Sequence, residues 1–443
     1  MGGVLAIVRS DEGNRRVLHV TLGVAALGVG LLVARLPLVT ALLILGIGAV
    51  ALTSLVEPMA GVAASLFLAP LWAWLRADWP QVPPLLGQYV FLLTCAVWLV
   101  RGLARRALVL PHPPLLLPLV AFMGSALLSL WDPADAVTGG MELAKWGQVL
   151  LIFLLVYERL RERTEASWGI LFLGSALVGV TLFQSAAGLW QFGLRGTGPS
   201  HFAIDARFYR AYGTFEQPNP YGGFLGMSAA VLAGLFFVGL LESWQQHRRP
   251  ALWVWGSGGA LLCVGGALLA SWSRGAWMGF GAALLLIVLT LPRRGAWGWG
   301  ALVILGIVGV GLYTAGLFPA SVMARMTGFL DYTRFEDIRG VAINATNYSV
   351  LERMAHWQAA LEMWRENFWL GVGFGCYEPA YPLYRLINWP IALGHAHNYY
   401  LNLLAETGIV GLGAYLTFFG VLFLRLWQAS RRLSDWRDRK SVV

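Results

Sequence analysis

The chain has 443 residues, of which 58% are hydrophobic and only 12% are charged, and its mean hydropathy is +0.64. A soluble domain usually contains about 25% charged residues. The composition therefore excludes an ordinary soluble protein and indicates an all-α polytopic integral membrane protein. The net charge of +9 does not imply a nucleic-acid partner, because membrane proteins concentrate basic residues on their cytoplasmic side.

Apolar segments recur along most of the chain. A hydrocarbon core of about 30 Å requires roughly 20 apolar residues in a helix. The pattern predicts about 12 transmembrane helices, at residues 17–35, 36–56, 60–75, 85–100, 115–130, 143–157, 168–190, 220–241, 252–270, 276–291, 297–316 and 398–424. The third, fourth and fifth of these spans are short, so tilted or re-entrant arrangements remain open for them.

Clusters of basic residues alternate with these predicted spans, which defines an orientation. If the N-terminus is cytoplasmic, every short basic loop also falls on the cytoplasmic side, as the positive-inside rule requires. An even number of spans then returns the C-terminus to the cytoplasm. The clusters used are Arg9, Arg15 and Arg16; Arg101, Arg105 and Arg106; Arg159, Arg161 and Arg163; Arg248 and Arg249; Arg293 and Arg294; and the tail from Arg425 to Lys440.

Two segments on the predicted outer face are long, and the second carries a helical pattern. Apolar residues at helical spacing predict an amphipathic helix over 349–366, followed by a flexible glycine turn. The apolar positions are Leu351, Met354, Leu361 and Trp364, and the glycines are Gly371, Gly373 and Gly375. The predicted organisation is 1–316 with the first eleven spans and an outer loop near 191–219, 317–397 as an outer helical loop, and 398–443 as the last span and a basic tail.

Four of the arginines on the predicted outer face are the most informative, because the positive-inside bias acts against them. Arg207 and Arg210 stand in "DARFYRAYGTFEQPNPYGG", Arg274 in "SWSRGAWMGF", and Arg353 at the start of the amphipathic helix. Each arginine alone has the alternative of extending to lipid headgroups. Guanidinium groups also make forked, charge-assisted hydrogen bonds to phosphate oxygens. Several of them at one membrane face would suit a pyrophosphate.

The stretch "GHAHNYYLNLLAETGIVG" places polar side chains where the last span begins. We expect His395 to close the outer loop and His397 to begin the final helix. Three roles remain open for His397: an interfacial histidine bonded to a backbone carbonyl, a metal ligand, or a general base. The metal alternative requires a third ligand, from His356 or an outer acid.

These residues resemble the bacterial O-antigen ligase and O-antigen polymerase superfamily. The signature of that superfamily is a His-Asn pair, nine residues, a glycine and another glycine three residues later, which here are His397, Asn398, Gly408 and Gly411. "YRAYGTFEQPNPYGG" resembles the Arg-x-x-Gly segment, "SWSRGAWMGF" the Ser-Arg-Gly turn, and "ERMAHWQAALEMWRENFWLGVGFGCY" the stretch before the signature. The resemblance covers residues 207–424, and the first half of the chain matches in hydropathy alone.

The resemblance implies a GT-C-like glycosyltransferase in the bacterial inner membrane with a periplasmic active site. The donor would be a glycan on undecaprenyl pyrophosphate, and the acceptor of an O-antigen ligase would be a sugar hydroxyl of lipid A–core, in lipopolysaccharide assembly. Polymerases of the superfamily instead extend another lipid-linked glycan, and a third branch transfers glycan to protein serine or threonine. No metal or other cofactor is implied.

A sugar hydroxyl that attacks an anomeric carbon must lose a proton while pyrophosphate departs. We expect Arg210 and Arg274 to stabilise the departing charge, and His397 either to accept the proton or to bond the leaving phosphate. Single displacement would invert the anomeric carbon. The predicted substrate-binding residues are Arg207, Glu216, Asn219, Ser273, Arg353, His395 and Asn398, and Glu216 is also an alternative general base.

Two functions from other classes compete with this one. A transporter or flippase for lipid-linked glycan would use the outer arginines to guide an anionic substrate. Transporters usually show inverted repeats and broken helices near the membrane midplane, and the sequence shows no internal repeat. A non-catalytic protein of envelope assembly is the other alternative. The oligomeric state, the sugar and the linkage are left open by the sequence.

Overall fold

A computed structural model describes residues 28, 30, 35–80, 82–83, 86–104, 112–161, 166–204, 208–290, 295–316, 337–344 and 347–440 of the chain. The described residues form helices and connecting turns, with no β-strand among them. A lone antiparallel bridge joins Ala203 to Tyr209. The expectation of an all-α protein is confirmed for this part of the chain.

Contacts divide the chain into two compact units, and each contains segments that are distant in sequence. Unit 1 takes its described residues from Met1–Leu108 and Arg163–Gly306, and unit 2 from Val109–Glu162 and Ile307–Val443. Both units therefore combine a part of the first half of the chain with a part of the second.

Unit 1 is a helical bundle in which polar loops connect apolar helices. Its helices are α1 (Leu38–Val56), α2 (Pro58–Leu68), α3 (Trp72–Asp78), α4 (Leu86–Ala104), α7 (Ala166–Leu189), α8 (Pro218–Gln245), α9 (Leu252–Ala270) and α10 (Arg274–Thr290). The division at residue 306 falls within α11 (Gly295–Thr314). A 3₁₀ turn, Ala69–Leu71, separates α2 from α3, and a π-helical turn, Trp190–Leu194, follows α7.

Unit 2 contains the segment that carries the histidine signature. Its helices are α5 (Leu116–Ser129), α6 (Ala136–Arg161), α12 (Tyr348–Glu366), α13 (Tyr377–Tyr384) and α14 (Tyr399–Lys440). Helix α14 packs against α5 and α12. It bends at Gly408, whose backbone lies far from helical values at φ 62° and ψ −164°.

Seven of the described helices are long and apolar enough to cross a membrane. They are α1, α4, α6, α7, α8, α9 and the first 31 residues of α14. The chain is therefore a polytopic membrane protein. The first predicted span, 17–35, falls almost entirely outside the described residues, and each of the others overlaps a helix.

The third predicted span, 60–75, is wrong as a continuous helix. The chain forms two short helices, α2 and α3, with the 3₁₀ turn that contains Pro70 between them. Proline has no backbone N–H to continue the helical hydrogen bonds, so the helix is interrupted there. The fifth predicted span, 115–130, corresponds to α5, a single helix of 14 residues that is also short for a crossing.

The core of unit 1 lies where α8 packs against α9. Tyr221, Leu225 and Ala229 of α8 are completely buried, as are Val264 and Ala267 of α9. Small residues at such positions allow two helix backbones to approach closely, which is how helices associate in a membrane. This packing places the start of α8 beside the turn between α9 and α10.

The predicted amphipathic helix, 349–366, corresponds closely to α12. Its buried face differs from the predicted stripe, because Leu361 and Trp364 are only partly buried. The buried residues are Leu351, Met354, Ala355, His356, Ala359, Ala360 and Met363. The three alanines allow close packing of α12, whereas the sequence pattern emphasised the larger apolar residues.

Candidate active site

Arg210 is anchored to the turn that carries Arg274. Its Nε donates to the carbonyl of Ser271 at 3.1 Å, and its Nη2 donates to Oδ1 of Asn219 at 3.0 Å. The backbone N–H of Ala211 also donates to the carbonyl of Ala270 at 2.9 Å. We call residues 208–214 and 270–274, together with Asn219, the arginine region. Asn219, predicted to bind substrate, fixes the direction of the Arg210 guanidinium in this structure.

The two serines before Arg274 shape the turn. Ser271 is fully buried, and its Oγ donates to the carbonyl of Leu268 at 2.6 Å and accepts from the N–H of Ser273 at 3.2 Å. Ser273 is 6% exposed. Trp272 between them has a left-handed backbone, φ 55°. Arg274 begins α10 directly after this turn and is half-buried.

A glycine in α8 permits this turn to pack tightly. A Cβ added to Gly222 would lie 2.9 Å from Ser271 Oγ and 3.1 Å from Ser273 Cβ. Any larger residue would push the turn away from α8. Gly222 of "PNPYGG" therefore supports the arginine region because it has no side chain, which lets the turn pack closely against α8.

Two buried glutamines hold the loop that carries Arg210. Gln191 donates to the carbonyl of Gly213 at 2.7 Å and accepts from the N–H groups of Tyr212 at 3.1 Å and Gly213 at 2.7 Å. Gln184 accepts from the N–H of Thr214 at 3.1 Å and donates to its hydroxyl at 2.6 Å. The hydroxyl of Thr214 in turn donates to the carbonyl of Pro70.

The glycine of the Arg-x-x-Gly segment also has a structural reason. Gly213 has φ 55°, and an added Cβ would lie 2.4 Å from Oε1 of Gln184. Only glycine combines a left-handed backbone with such a close neighbour at little cost. Gln184 and Gln191 were not predicted as site residues. The signal that identifies them is an amide in an otherwise apolar helical segment, because such groups are expensive in a membrane unless they are used.

The sequence also predicted that Arg207 and Glu216, near these arginines, bind substrate. Arg207 lies outside the described residues. Glu216 is exposed and has a left-handed backbone, φ 59°, just before α8. Substrate binding by either residue, and base catalysis by Glu216, remain predictions.

In unit 2, His397 lies before the last helix rather than within it. Helix α14 begins at Tyr399, and His397 has φ 53°. The prediction that His397 begins the final helix is therefore wrong. The reason is Asn398, whose Oδ1 accepts from the N–H groups of Tyr400 at 3.1 Å and Leu401 at 3.3 Å. This is an N-cap, which ends helical geometry on its N-terminal side.

Two further imidazoles surround the His397 ring. The ring centroids of His395 and His397 are 4.4 Å apart, and those of His356 and His397 are 5.6 Å apart, both edge-to-face. Nδ1 of His395 accepts from the backbone N–H of His397 at 3.1 Å. Neutral His395 therefore carries its proton on Nε2. We call His356, His395 and His397, with Asn398, the histidine region.

His356 is fixed by a tyrosine that the sequence did not single out. The hydroxyl of Tyr377 donates to the carbonyl of His356 at 3.1 Å, and lies 2.9 Å from its Nδ1. Because a phenol has a single proton to donate, Nδ1 of His356 carries a proton and donates to that oxygen. The His356 ring also stacks on Tyr381, with centroids 4.6 Å apart.

These surroundings keep His397 uncharged. Partial desolvation lowers the pKa of His397 to about 4, and His395, His356 and the exposed Arg353 add to the effect. Burial likewise lowers the pKa of His356 to about 4, with a contribution from His395. At neutral pH both rings are therefore neutral, so His397 has a lone pair available to accept a proton.

The two signature glycines are explained by close contacts, with backbone atoms at Gly408 and with a side chain at Gly411. A Cβ on Gly408 would lie 2.2 Å from the carbonyl oxygen of Trp369, and a Cβ on Gly411 would lie 2.2 Å from Thr407. The bend at Gly408 frees carbonyls of α14, so that Ala405 accepts from Val372 at 2.9 Å. The glycine turn predicted to be flexible is thus packed and hydrogen-bonded against α14.

A cavity of about 480 Å³ opens beside His397 within unit 2. Its lining combines imidazole, carboxylate, amide and aromatic groups, which is the mixture found in binding pockets for polar ligands. The described residues around it are Glu142, Phe374, Gly375, Gly394, His395, His397, Asn398, Tyr399, Asn402, Leu403 and Glu406. Glu142 and Glu406 were not predicted, although a carboxylate in an apolar helix is itself a signal of function.

Among the residues that the structure describes, no group of three or more His, Cys, Asp or Glu side chains is arranged to hold a metal ion. Tyr377 engages Nδ1 of His356 and leaves Nε2 of that ring with its lone pair. A metal-binding role for His397 stays an untested alternative.

The fold and these side chains define a polytopic helical membrane protein with arginine and histidine regions at helix ends. Residues 259–416, which include Arg274 and His397, match a family model described as O-antigen ligase. The chain is also 25% identical over 338 residues to an O-antigen ligase of Pseudomonas aeruginosa, a match that covers 74% of this chain and 66%, just under two thirds, of that relative. Together these findings confirm the resemblance to the O-antigen ligase superfamily.

Proposed function

We propose that this protein is an O-antigen ligase that transfers a glycan from undecaprenyl pyrophosphate to a sugar hydroxyl of lipid A–core. The transfer would take place at the periplasmic face of the inner membrane, with inversion and without a metal ion. The observation that carries the proposal is the neutral, accessible His397 ring beside a polar cavity, in the segment that matches the ligase family model.

In the proposed reaction, the acceptor hydroxyl oxygen bonds to the anomeric carbon as the bond from that carbon to the pyrophosphate oxygen breaks. The hydroxyl proton passes to His397, and the pyrophosphate departs with the bonding electron pair. Such a base typically contributes about 10²–10⁴-fold to the rate. The lowered pKa of His397 keeps its ring uncharged at neutral pH and so disfavours a positively charged phosphate ligand, although it also makes the imidazole a weaker base than one that titrates near neutral pH.

Arg210 and Arg274 are proposed to stabilise the leaving pyrophosphate. Two features support this role: Arg210 is bonded to the turn before Arg274, and the guanidinium fork matches phosphate oxygens. Groups that stabilise developing charge commonly contribute about 10²–10³-fold each. Arg207, Arg353, Glu216, Asn219, Ser273, His395 and Asn398 remain proposed substrate-binding residues.

Reconstitution of the protein with lipid-linked glycan donor and lipid A–core tests the proposal. His397→Ala should lower kcat at least about 100-fold and leave donor binding unchanged. His247 is a matched control, because it is exposed and has a similar left-handed backbone, φ 51°. His247→Ala should therefore retain full transfer, whereas full transfer by His397→Ala would contradict the proposal.

The same assay separates the alternatives. Transfer to a second lipid-linked glycan, or to a protein hydroxyl, in place of lipid A–core would identify an O-antigen polymerase or a protein O-oligosaccharyltransferase. Movement of donor across the bilayer without a covalent product would identify a transporter. Transfer should continue in the presence of a chelator, and its loss there would overturn the metal-independent mechanism.

A further inference from the structure

The cavity beside His397 contains a carboxylate that the proposed reaction does not use. Glu142 lies on α6, outside the segment that matches the family model. Its side chain is 32% exposed. A Cβ added to Gly375 would lie 2.6 Å from Glu142 Cβ, so a larger residue at position 375 would collide with the base of this side chain.

Several other polar groups on the wall already hold the protein backbone. Asn398 caps α14, Asn402 accepts from the N–H of Ala396 at 2.9 Å, and Glu406 accepts from the N–H of Tyr377 at 3.2 Å. Glu142 instead pairs with Lys145 at 2.6 Å, and the Lys145 side chain is 58% exposed. An exposed pair of this kind contributes little to stability, so it can yield to a bound ligand.

The charge of the cavity wall favours a neutral, hydroxyl-rich ligand. The described lining residues include two acidic side chains, the partly exposed Glu142 and the buried Glu406, and neither arginine nor lysine. The carboxylate of Glu142 can accept hydrogen bonds from hydroxyl groups and would repel phosphate. The volume of about 480 Å³ lies within the usual range of ligand pockets. This wall suits a sugar and disfavours a pyrophosphate.

We infer that the cavity binds the acceptor sugar and that Glu142 accepts a hydrogen bond from a hydroxyl group near the one that reacts. The inference rests on the proposed function and deepens it, because it assigns the acceptor to the histidine region. A second hydroxyl bound by Glu142 fixes the rotation of the sugar ring, and the reacting hydroxyl is then held against His397.

Steady-state kinetics of Glu142→Gln test this assignment, with the lipid-linked glycan donor and lipid A–core varied separately. The acceptor KM should rise about tenfold, which corresponds to about 1.4 kcal/mol, and kcat should fall because the reacting hydroxyl is no longer oriented, while the donor KM stays within about twofold. Glu362→Gln is the matched control. Glu362 pairs with Arg365 at 2.6 Å and three-residue spacing, as Glu142 does with Lys145, but it does not line the cavity.

A second variant separates ligand binding from the stability of α6. Lys145→Met removes the ion pair and keeps the carboxylate, so the acceptor KM should stay at or below the wild-type value. The inference is overturned if Lys145→Met raises the acceptor KM as much as Glu142→Gln does. It is also overturned if Glu142→Gln leaves the acceptor KM unchanged or raises both KM values equally. Absence of transfer by the wild-type protein would instead overturn the proposed function.

Discussion

The arginine and histidine regions are held in position by partly different means. In the arginine region, buried amide side chains form hydrogen bonds to the loop that carries Arg210. Gln191 alone makes three hydrogen bonds to the backbone of residues 212–213. In the histidine region, side-chain hydrogen bonds from Asn398 and Tyr377 are joined by backbone-to-backbone contacts between the turn at 371–375 and the bend at Gly408. Both regions therefore combine side-chain hydrogen bonds with closely packed glycines, and the bent helix with its backbone contacts belongs to the histidine region.

This difference corresponds to the chemistry proposed for each region. Stabilisation of a pyrophosphate requires guanidinium groups with a fixed orientation. Hydrogen bonds to Ser271 and Asn219 fix the orientation of the Arg210 guanidinium. A proton acceptor requires an accessible, uncharged ring, and the left-handed backbone of His397 presents one before the helix begins. The comparison predicts that steric changes affect the histidine region most, and that loss of hydrogen bonds affects the arginine region most.

The largest expected effect comes from Gly408→Ala. The added Cβ would collide with the carbonyl of Trp369, and the backbone at φ 62° and ψ −164° is accessible almost only to glycine. We expect a loss of about 3 kcal/mol or more in stability, and with it the loss of transfer. Thermal unfolding in detergent measures the change.

Gly413→Ala provides the control for this prediction. Gly413 lies in the same helix, and nothing is within 4 Å of an added Cβ there. Replacement of a helical glycine by alanine at an open position is neutral or stabilising by up to about 1 kcal/mol. Equal melting temperatures for the two variants would show that the bend at Gly408 does not support unit 2.

Hydropathy was sufficient to predict an all-helical membrane protein and α12, but the interruption between α2 and α3 was missed. A window average responds to apolar residues and does not register the single missing N–H of Pro70. The same limitation applies to α12, where Ala355 and Ala359 are buried. Small residues define a packed face by allowing close approach, which a hydrophobicity pattern does not record.

Motif reasoning identified segments more reliably than it identified the roles of residues within them. His397 and Asn398 are adjacent in the signature and both border the cavity, but Asn398 also caps a helix, which the motif did not indicate. Gln184 and Glu142 contribute from segments that no motif marked, and Tyr377 ends the stretch before the signature without having been singled out there. Their importance follows from long-range contacts, which a single sequence does not reveal.

An intermediate effect is expected for Gln191→Leu. Gln191 is 8% exposed, and leucine would leave the N–H groups of Tyr212 and Gly213 and the carbonyl of Gly213 without this partner. Unpaired buried polar groups cost about 1–3 kcal/mol. The donor KM should rise more than the acceptor KM, because Arg210 lies on the same loop.

Gln245→Leu is the control for Gln191→Leu, since Gln245 is exposed at the end of α8. Both variants are compared by thermal unfolding and by separate titration of donor and acceptor. A normal donor KM for Gln191→Leu would mean that the amide does not position the arginine region. A rise in the acceptor KM without a rise in the donor KM would also mean that Gln191 does not position the arginine region.

The smallest effect is expected from Arg353→Gln, and it appears in the pH dependence of transfer. Arg353 is exposed, and its positive charge helps to hold the pKa of His397 below the ordinary value of 6.5, at about 4. If neutral His397 is required, transfer by the wild-type protein should persist below pH 6.5 and fall as the pH passes through about 4. Removal of the positive charge makes protonation of His397 less costly, so its pKa rises and activity is lost at a higher pH.

The predicted rise in the pKa of His397 is checked by measuring kcat/KM for the acceptor at acidic pH, for the wild-type protein and for Arg353→Gln. Other carboxylates near the cavity titrate in both proteins, so the comparison isolates the contribution of Arg353. Arg365→Gln on the same helix, where Arg365 pairs with Glu362, should leave this pH dependence unchanged. Because Arg353 is exposed, the shift should shrink as ionic strength rises. A shift toward lower pH in Arg353→Gln would mean that a group other than His397 controls the loss of activity at acidic pH.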